Sequence, residues 1–126
     1  MEQSNLNETL QAIDAVIADK RQAIKRGEAL QRLMKNQDFI DVILNGYIEE
    51  EARKLFAILT DPTGGSPYSA EKIHLMLEAI SHFKGYVGTD TYKGTVMIEA
   101  EQAPLDIANE EDYRKQVTAE AEDGDY

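Results

Sequence analysis

The residues of this sequence best placed to do chemistry are His74, Glu78 and His82, with Glu71 one turn before them. Steps of three and four set all four along one helical face. A histidine and a carboxylate one turn apart can both reach one divalent cation. His74 and His82 are about 12 Å apart along a single helix, however, so they cannot share an ion. A polar face flanking an apolar stripe accounts for the same spacing, and a metalloenzyme subunit built on His74 and Glu78 is the third-ranked reading. Nucleophilic catalysis needs a nucleophile, a base and an orienting group. Ser81 adjoins His82, but adjacent helical residues point apart. The absence of Cys removes a thiol nucleophile, thiolate ligands and disulfides together. No catalytic, cofactor-binding or metal-binding residue is assigned. The expectation is a chain that is not an enzyme and uses no cofactor.

Three further signals have plain explanations. Gly64-Gly65-Ser66 lacks the following Lys and the preceding strand of a phosphate loop, and reads as a turn. Glu49, Glu50 and Glu51 diverge around a helix, whereas paired catalytic carboxylates must face one another across a substrate. They instead offer helix-surface pairs with Arg53 and Lys54. Lys20, Arg21, Lys25, Arg26, Arg32 and Lys35 form the one basic cluster, diluted by Asp19 and Glu28 to a net of +4 over residues 19–35. It has no interleaved aromatic for base stacking and reads as a solvated helix face.

The overall charge of −11 is unevenly placed. Residues 1–98 hold 14 acids and 11 bases, a net of −3; residues 99–126 hold 10 acids and 2 bases, a net of −8. Nucleic acid binding requires cations that replace condensed counterions, so no direct nucleic-acid partner is expected. A protein with a basic surface suits this chain better. No apolar run approaches the ~18–20 residues of a membrane span, and the start of the chain lacks signal-peptide features. The expected setting is cytoplasmic, without a membrane partner.

The elements that must position these residues are helical. Asn5 or Asn7 caps a first helix whose apolar residues Leu6, Leu10, Ile13, Ile17 and Ile24 recur at a/d spacing, with Lys20 the one missing member. The stripe either folds back on its own domain or docks a partner helix. Gly27 is a point of breakage or bending. Asn36 caps the next segment. There Phe39, Ile40, Val42, Ile43, Tyr47, Ile48, Ala52, Leu55, Phe56, Ile58 and Leu59 make a central core helix. Gly46 within it calls for a reason such as close approach of another helix. Residues 61–67 break the chain into a helical hairpin. Ser69 caps a further helix through Ile73, Leu77, Ile80 and Val87. Residues 85–98 admit a short β-hairpin or a weak helix. The helical steps of Val87, Thr91, Thr95 and Ile98 favour a helix to about Ala103, ended by Pro104. A short helix from Asn109 to Glu120 follows, with Ala119 to Tyr126 disordered. The fold class is all-α: a helical hairpin or small bundle with a long N-terminal helix and an acidic, partly disordered tail. The divisions are 1–27, 28–103 and 104–126. The interaction candidates are Leu6, Leu10, Ile13, Ile17, Ile24, Phe39 and Tyr47.

The stretch Glu28-Ala29-Leu30-Gln31-Arg32-Leu33, then Asn36-Gln37-Asp38-Phe39, then Val42 through Leu55, then Asp61-Pro62, resembles a group of small acidic helical proteins encoded in structural-gene clusters of tailed bacteriophages. Tyr86-Val87-Gly88-Thr89 stands where that group has a second, weaker motif, which favours a helix there. Gln37 departs from a common Pro, and several glycines depart from the second block. The likeness covers about residues 28–98 and transfers no catalytic residue. It implies a virion-associated or assembly protein, scaffold-like or chaperone-like, that binds a phage structural protein or itself. Its place would be the host cytoplasm during assembly, or the virion. The alternative is an acidic DNA mimic that inhibits a host nucleic-acid enzyme.

Overall fold

A computed structural model describes residues 3–61 and 63–123, and among them there are helices and no strand. The chain is all-α, with a long N-terminal helix. Helix α1 spans Gln3–Leu33, α2 Gln37–Phe39, a π-helical segment Ile40–Glu51, α3 Ala52–Leu59, α4 Ala70–Val87 and α5 Thr95–Asp123. Two compact units result: residues up to Glu28 with those from Ile98 onward, and residues 29–97.

In the first unit α1 and α5 lie antiparallel. Asp14 pairs with Arg114 at 3.0 Å and Lys20 with Asp106 at 3.2 Å, so numbers rise on one helix as they fall on the other. Each helix presents a seam with a/d spacing. On α1 it is Leu6, Leu10, Ile13, Ile17, Lys20, Ile24 and Gly27; on α5 it is Ala100, Ala103, Ile107, Glu110, Arg114, Val117 and Ala121. Every one of these residues is buried or half-buried. Ile13, Ile17 and Val117 form the buried centre, with Leu6 and Ile107 packed on it. Lys20, the polar member of the α1 stripe, stands in the seam because Asp106 opposes it.

This pairing corrects four expectations. Helix α1 is under way at Gln3, so neither Asn5 nor Asn7 is its cap; Asn7 accepts a bond from the Gln3 side chain inside the helix. Gly27 is buried within an unbroken helix and neither breaks nor ends it. Pro104 does not end a helix but lies inside α5. Its ring removes one backbone hydrogen bond, yet Ala103 and Ile107 on either side are held in the seam. The acidic segment is likewise helical through Asp123, because Val117 and Ala121 continue the seam. Of the tail expected to be disordered, residues 124–126 lie outside the described residues.

In the second unit Asn36 caps α2 as expected, its side-chain oxygen accepting from the Phe39 amide at 3.0 Å. The expected single core helix is wound as a π-helix in its middle. Such winding closes hydrogen bonds one residue further along than an α-helix and seldom exceeds one turn. A Cβ on Gly46 would lie 3.1 Å from the Asp41 carbonyl oxygen, so the close neighbour is the helix's own backbone rather than another helix. Ile48 is buried with Leu30, Val87 and Val96, and Tyr47 meets Phe83 edge-on at 5.9 Å. Leu55, Ile73 and Ile80 form a second cluster between α3 and α4.

The turn between those helices is built by polar side chains. The Thr63 backbone amide and hydroxyl both donate to Asp61 Oδ1, at 2.9 and 2.8 Å. The amide bond first, then the hydroxyl, holds the Asp61 carboxyl below its usual range. Ser69 caps α4 by accepting from the Lys72 amide at 3.1 Å. Pro62 lies outside the described residues.

Residues 85–98 are neither a continuous helix nor a hairpin. Helix α4 stops at Val87, a loop occupies residues 88–94, and α5 begins at Thr95. Gly88 has φ 80° and ψ −170°, a region essentially confined to glycine. A Cβ there would meet the Tyr92 carbonyl oxygen at 2.5 Å and the Gly94 amide at 2.6 Å. On Gly94 it would meet the Gly88 amide nitrogen at 2.5 Å. The two glycines therefore close the loop backbone to backbone, and the Thr89 amide donates to the Tyr92 carbonyl at 2.7 Å. The helical spacing of Thr91 and Thr95 is coincidental.

Candidate interaction surfaces

His74, Glu78, His82 and Glu71 all lie on the exposed side of α4, away from the buried Ile73, Ile80 and Val87. Among the described residues no group of three or more His, Asp or Glu is placed to hold a metal ion. No helix among them is long and apolar enough to cross a membrane. Ser81 is exposed too. Gly64 has φ 64° in an open turn, without a helix start immediately after it to cradle a phosphate.

The structure distributes the interaction candidates between two packings. Ile13 and Ile17 are buried against Val117, and Leu6 packs on that cluster. Leu10 and Ile24 are half-buried in the same α1 seam. Along this stripe α1 therefore packs within the chain, the first of the two alternatives open from spacing alone. Phe39 is half-buried in α2, and Tyr47 meets Phe83 edge-on while staying 37 % exposed.

What spacing did not point to is the face beside the seam. A pair of helices buries one stripe of each and leaves the neighbouring stripes uncovered. On α1 that side carries the exposed Val16 and, seven residues on, the buried Ala23. On α5 Ile98 and Gln102 line it, while Leu105 and Tyr113 are exposed elsewhere on the helix. Val16 is 37 % exposed, Ile98 56 %, Leu105 57 % and Tyr113 49 %. Between the helices runs an open groove of about 590 Å³. Its walls set Lys20 and Arg26 on α1 against Glu99 and Asp106 on α5, with Asp19 also lining it. The signal that could have revealed it was the α5 register. Ala100, Ala103, Glu110, Arg114 and Ala121 hold a/d positions without a/d hydropathy.

The second unit has a smaller hollow of about 200 Å³ between the π segment and the glycine-closed loop. Leu44 and Ile48 line it apolarly, while Glu49, Lys84 and Asp90 bring charge to it. Asn45 and Thr89 also line it.

Comparison with known proteins finds no family model, no curated protein and no solved structure that matches the chain. The surfaces themselves must therefore carry the functional argument.

Proposed function

We propose that this chain is a non-enzymatic assembly protein of a tailed bacteriophage, scaffold-like or chaperone-like, acting through protein–protein contacts in the host cytoplasm or within the virion. The observation that carries this reading is the open face of the α1–α5 pair. There Val16 and Ile98 stay exposed beside charges of both signs. Apolar side chains rimmed by polar ones mark contact surfaces. The sequence resemblance over residues 28–98 supplies the phage setting. Affinity capture of the tagged chain from infected cells, with mass-spectrometric identification, tests it. The expected prey is a head, portal or tail protein. Recovery of none of these would overturn the reading.

The DNA-mimic alternative has one observation in its favour. The acids from Glu99 to Asp123 stand on a helix, which fixes their spacing. Against it, Asp106 is paired with Lys20 and Glu111 with Arg21. Capture of a host polymerase or nuclease, instead of a phage structural protein, would decide for the mimic.

A further inference from the structure

We propose that the hollow between the π segment and the glycine-closed loop binds a small zwitterion with an apolar body, of the class of a free apolar α-amino acid. The site lies within residues 29–97, and its test does not depend on the assembly reading.

The winding of the π segment builds one wall. An α-helix repeats every 3.6 residues, which puts Ile40, Leu44 and Ile48 on one face and turns Asn45 and Glu49 roughly 100° or more from its centre. A π-helix bonds each amide to the carbonyl five residues back, so residues four and five apart stand together along one side. Ile40, then Leu44 with Asn45, then Ile48 with Glu49 accordingly line the hollow together. The winding thus adds an amide and a carboxylate to an apolar strip. π turns are frequent at functional sites, and here the turn alters which side chains one wall presents.

The other side of the hollow is equally fixed. Thr89 and Asp90 come from the loop closed by Gly88 and Gly94, and Lys84 from the last turn of α4. Gly88 has φ 80° and ψ −170°, and a Cβ on Gly94 would lie 2.5 Å from the Gly88 amide nitrogen. Backbone in so sparsely populated a region clusters at ligand clamps. A loop set in place before the ligand arrives lowers the ordering cost of binding.

Size and charge select the occupant. The hollow holds about 200 Å³, below the ~300–1,000 Å³ of sites for drug-sized ligands. Met34, Ile40, Leu44 and Ile48 give it an apolar lining. Glu49, Asp90 and Lys84 give it two carboxylates and one ammonium, and none of the three has an ion-pair partner among the described residues. A hydrocarbon would leave all three charges unanswered. An apolar carboxylate would meet two like charges, and an alkylammonium would leave Lys84 unmatched. A ligand with an ammonium and a carboxylate on one carbon answers both signs. Its ammonium faces Glu49 and Asp90, its carboxylate faces Lys84, and its side chain fills the apolar part. Asn45 and Thr89 add an amide and a hydroxyl for the remaining donors and acceptors.

Amide NMR shifts of the full chain, titrated with leucine, test the proposal. Saturable shifts are expected at Leu44, Asn45, Ile48, Thr89 and Asp90, with a dissociation constant of about 1 mM, in keeping with contacts to exposed charges. Isopentylamine, which lacks the carboxylate, should bind about two- to fivefold more weakly, and isocaproate, which lacks the ammonium, more weakly still. Glu49→Gln and Asp90→Asn should each weaken leucine about two- to fivefold. Glu50→Gln, one residue along and outside the hollow, should change nothing. Circular dichroism checks that each variant keeps its helices; where one does not, the two analogues on the native chain decide. No saturable shift with leucine at concentrations about twentyfold above that constant overturns the proposal. So does equal or tighter binding of either analogue, or an equal loss in Glu49→Gln and Glu50→Gln.

Discussion

Gly88→Ala is expected to lower folding stability by about 3 kcal/mol or more, read as a shift of the denaturant midpoint. Two penalties combine. The backbone at Gly88 occupies a region that side chains with a Cβ avoid, and leaving it costs about 1–3 kcal/mol. The new methyl would also press on the Tyr92 carbonyl oxygen and the Gly94 amide, at 2.5 and 2.6 Å. Those atoms are backbone and cannot rotate away. Overpacking of that kind costs roughly 1–3 kcal/mol more. Against a typical domain stability of about 5–15 kcal/mol the loss is large. Gly85→Ala is the matched control. Gly85 is within α4, and a Cβ there meets nothing within 4 Å. It should stabilise by up to about 1 kcal/mol through helix propensity. Equal effects at the two positions would contradict the loop described above.

Pro104→Ala is expected to act in the opposite direction, raising stability by about 2–3 kcal/mol. Proline in a helix interior is about 3 kcal/mol less favourable than alanine, because it lacks the amide and crowds the preceding turn. Pro104 is nine residues into α5 and exposed, so its removal sacrifices no core contact. Alanine would return the hydrogen bond to the Ala100 carbonyl. Thermal unfolding measures the gain. A fall in stability would show that α5 is interrupted at residue 104.

The ease of reading differed along the chain for physical reasons. Leu6, Leu10, Ile13, Ile17 and Ile24 announce α1 because apolar side chains fill nearly every seam position. Asn36 and Ser69 announce helix starts because their side chains bond the orphan amides there. The α5 seam is hidden because alanines, Glu110 and Arg114 occupy it. Its burial depends on the facing helix rather than on local hydropathy. Pro104 misleads because propensity is local, whereas seam contacts on both sides of it are not. The loop at residues 88–94 is fixed by two glycines meeting across six residues, a contact no periodicity reports. The π winding of Ile40–Glu51 uses the same apolar residues an α-helix would, so steps of three and four do not separate the two. The groove on the outer face follows only once both helices are set side by side. A broken, partly disordered tail, as the sequence suggests for this segment, has no such face.

On the proposed function, the outer face of the α1–α5 pair, not the imidazoles of α4, makes the partner contact. Affinity capture with a Val16→Asp/Ile98→Asp double variant checks this, alongside a His74→Ala/His82→Ala variant and the native chain. If the proposed function holds, the charged face variant is expected to lose phage structural prey while keeping native helicity, and the histidine variant to keep it. Retention by the face variant, or loss confined to the histidine variant, would contradict it.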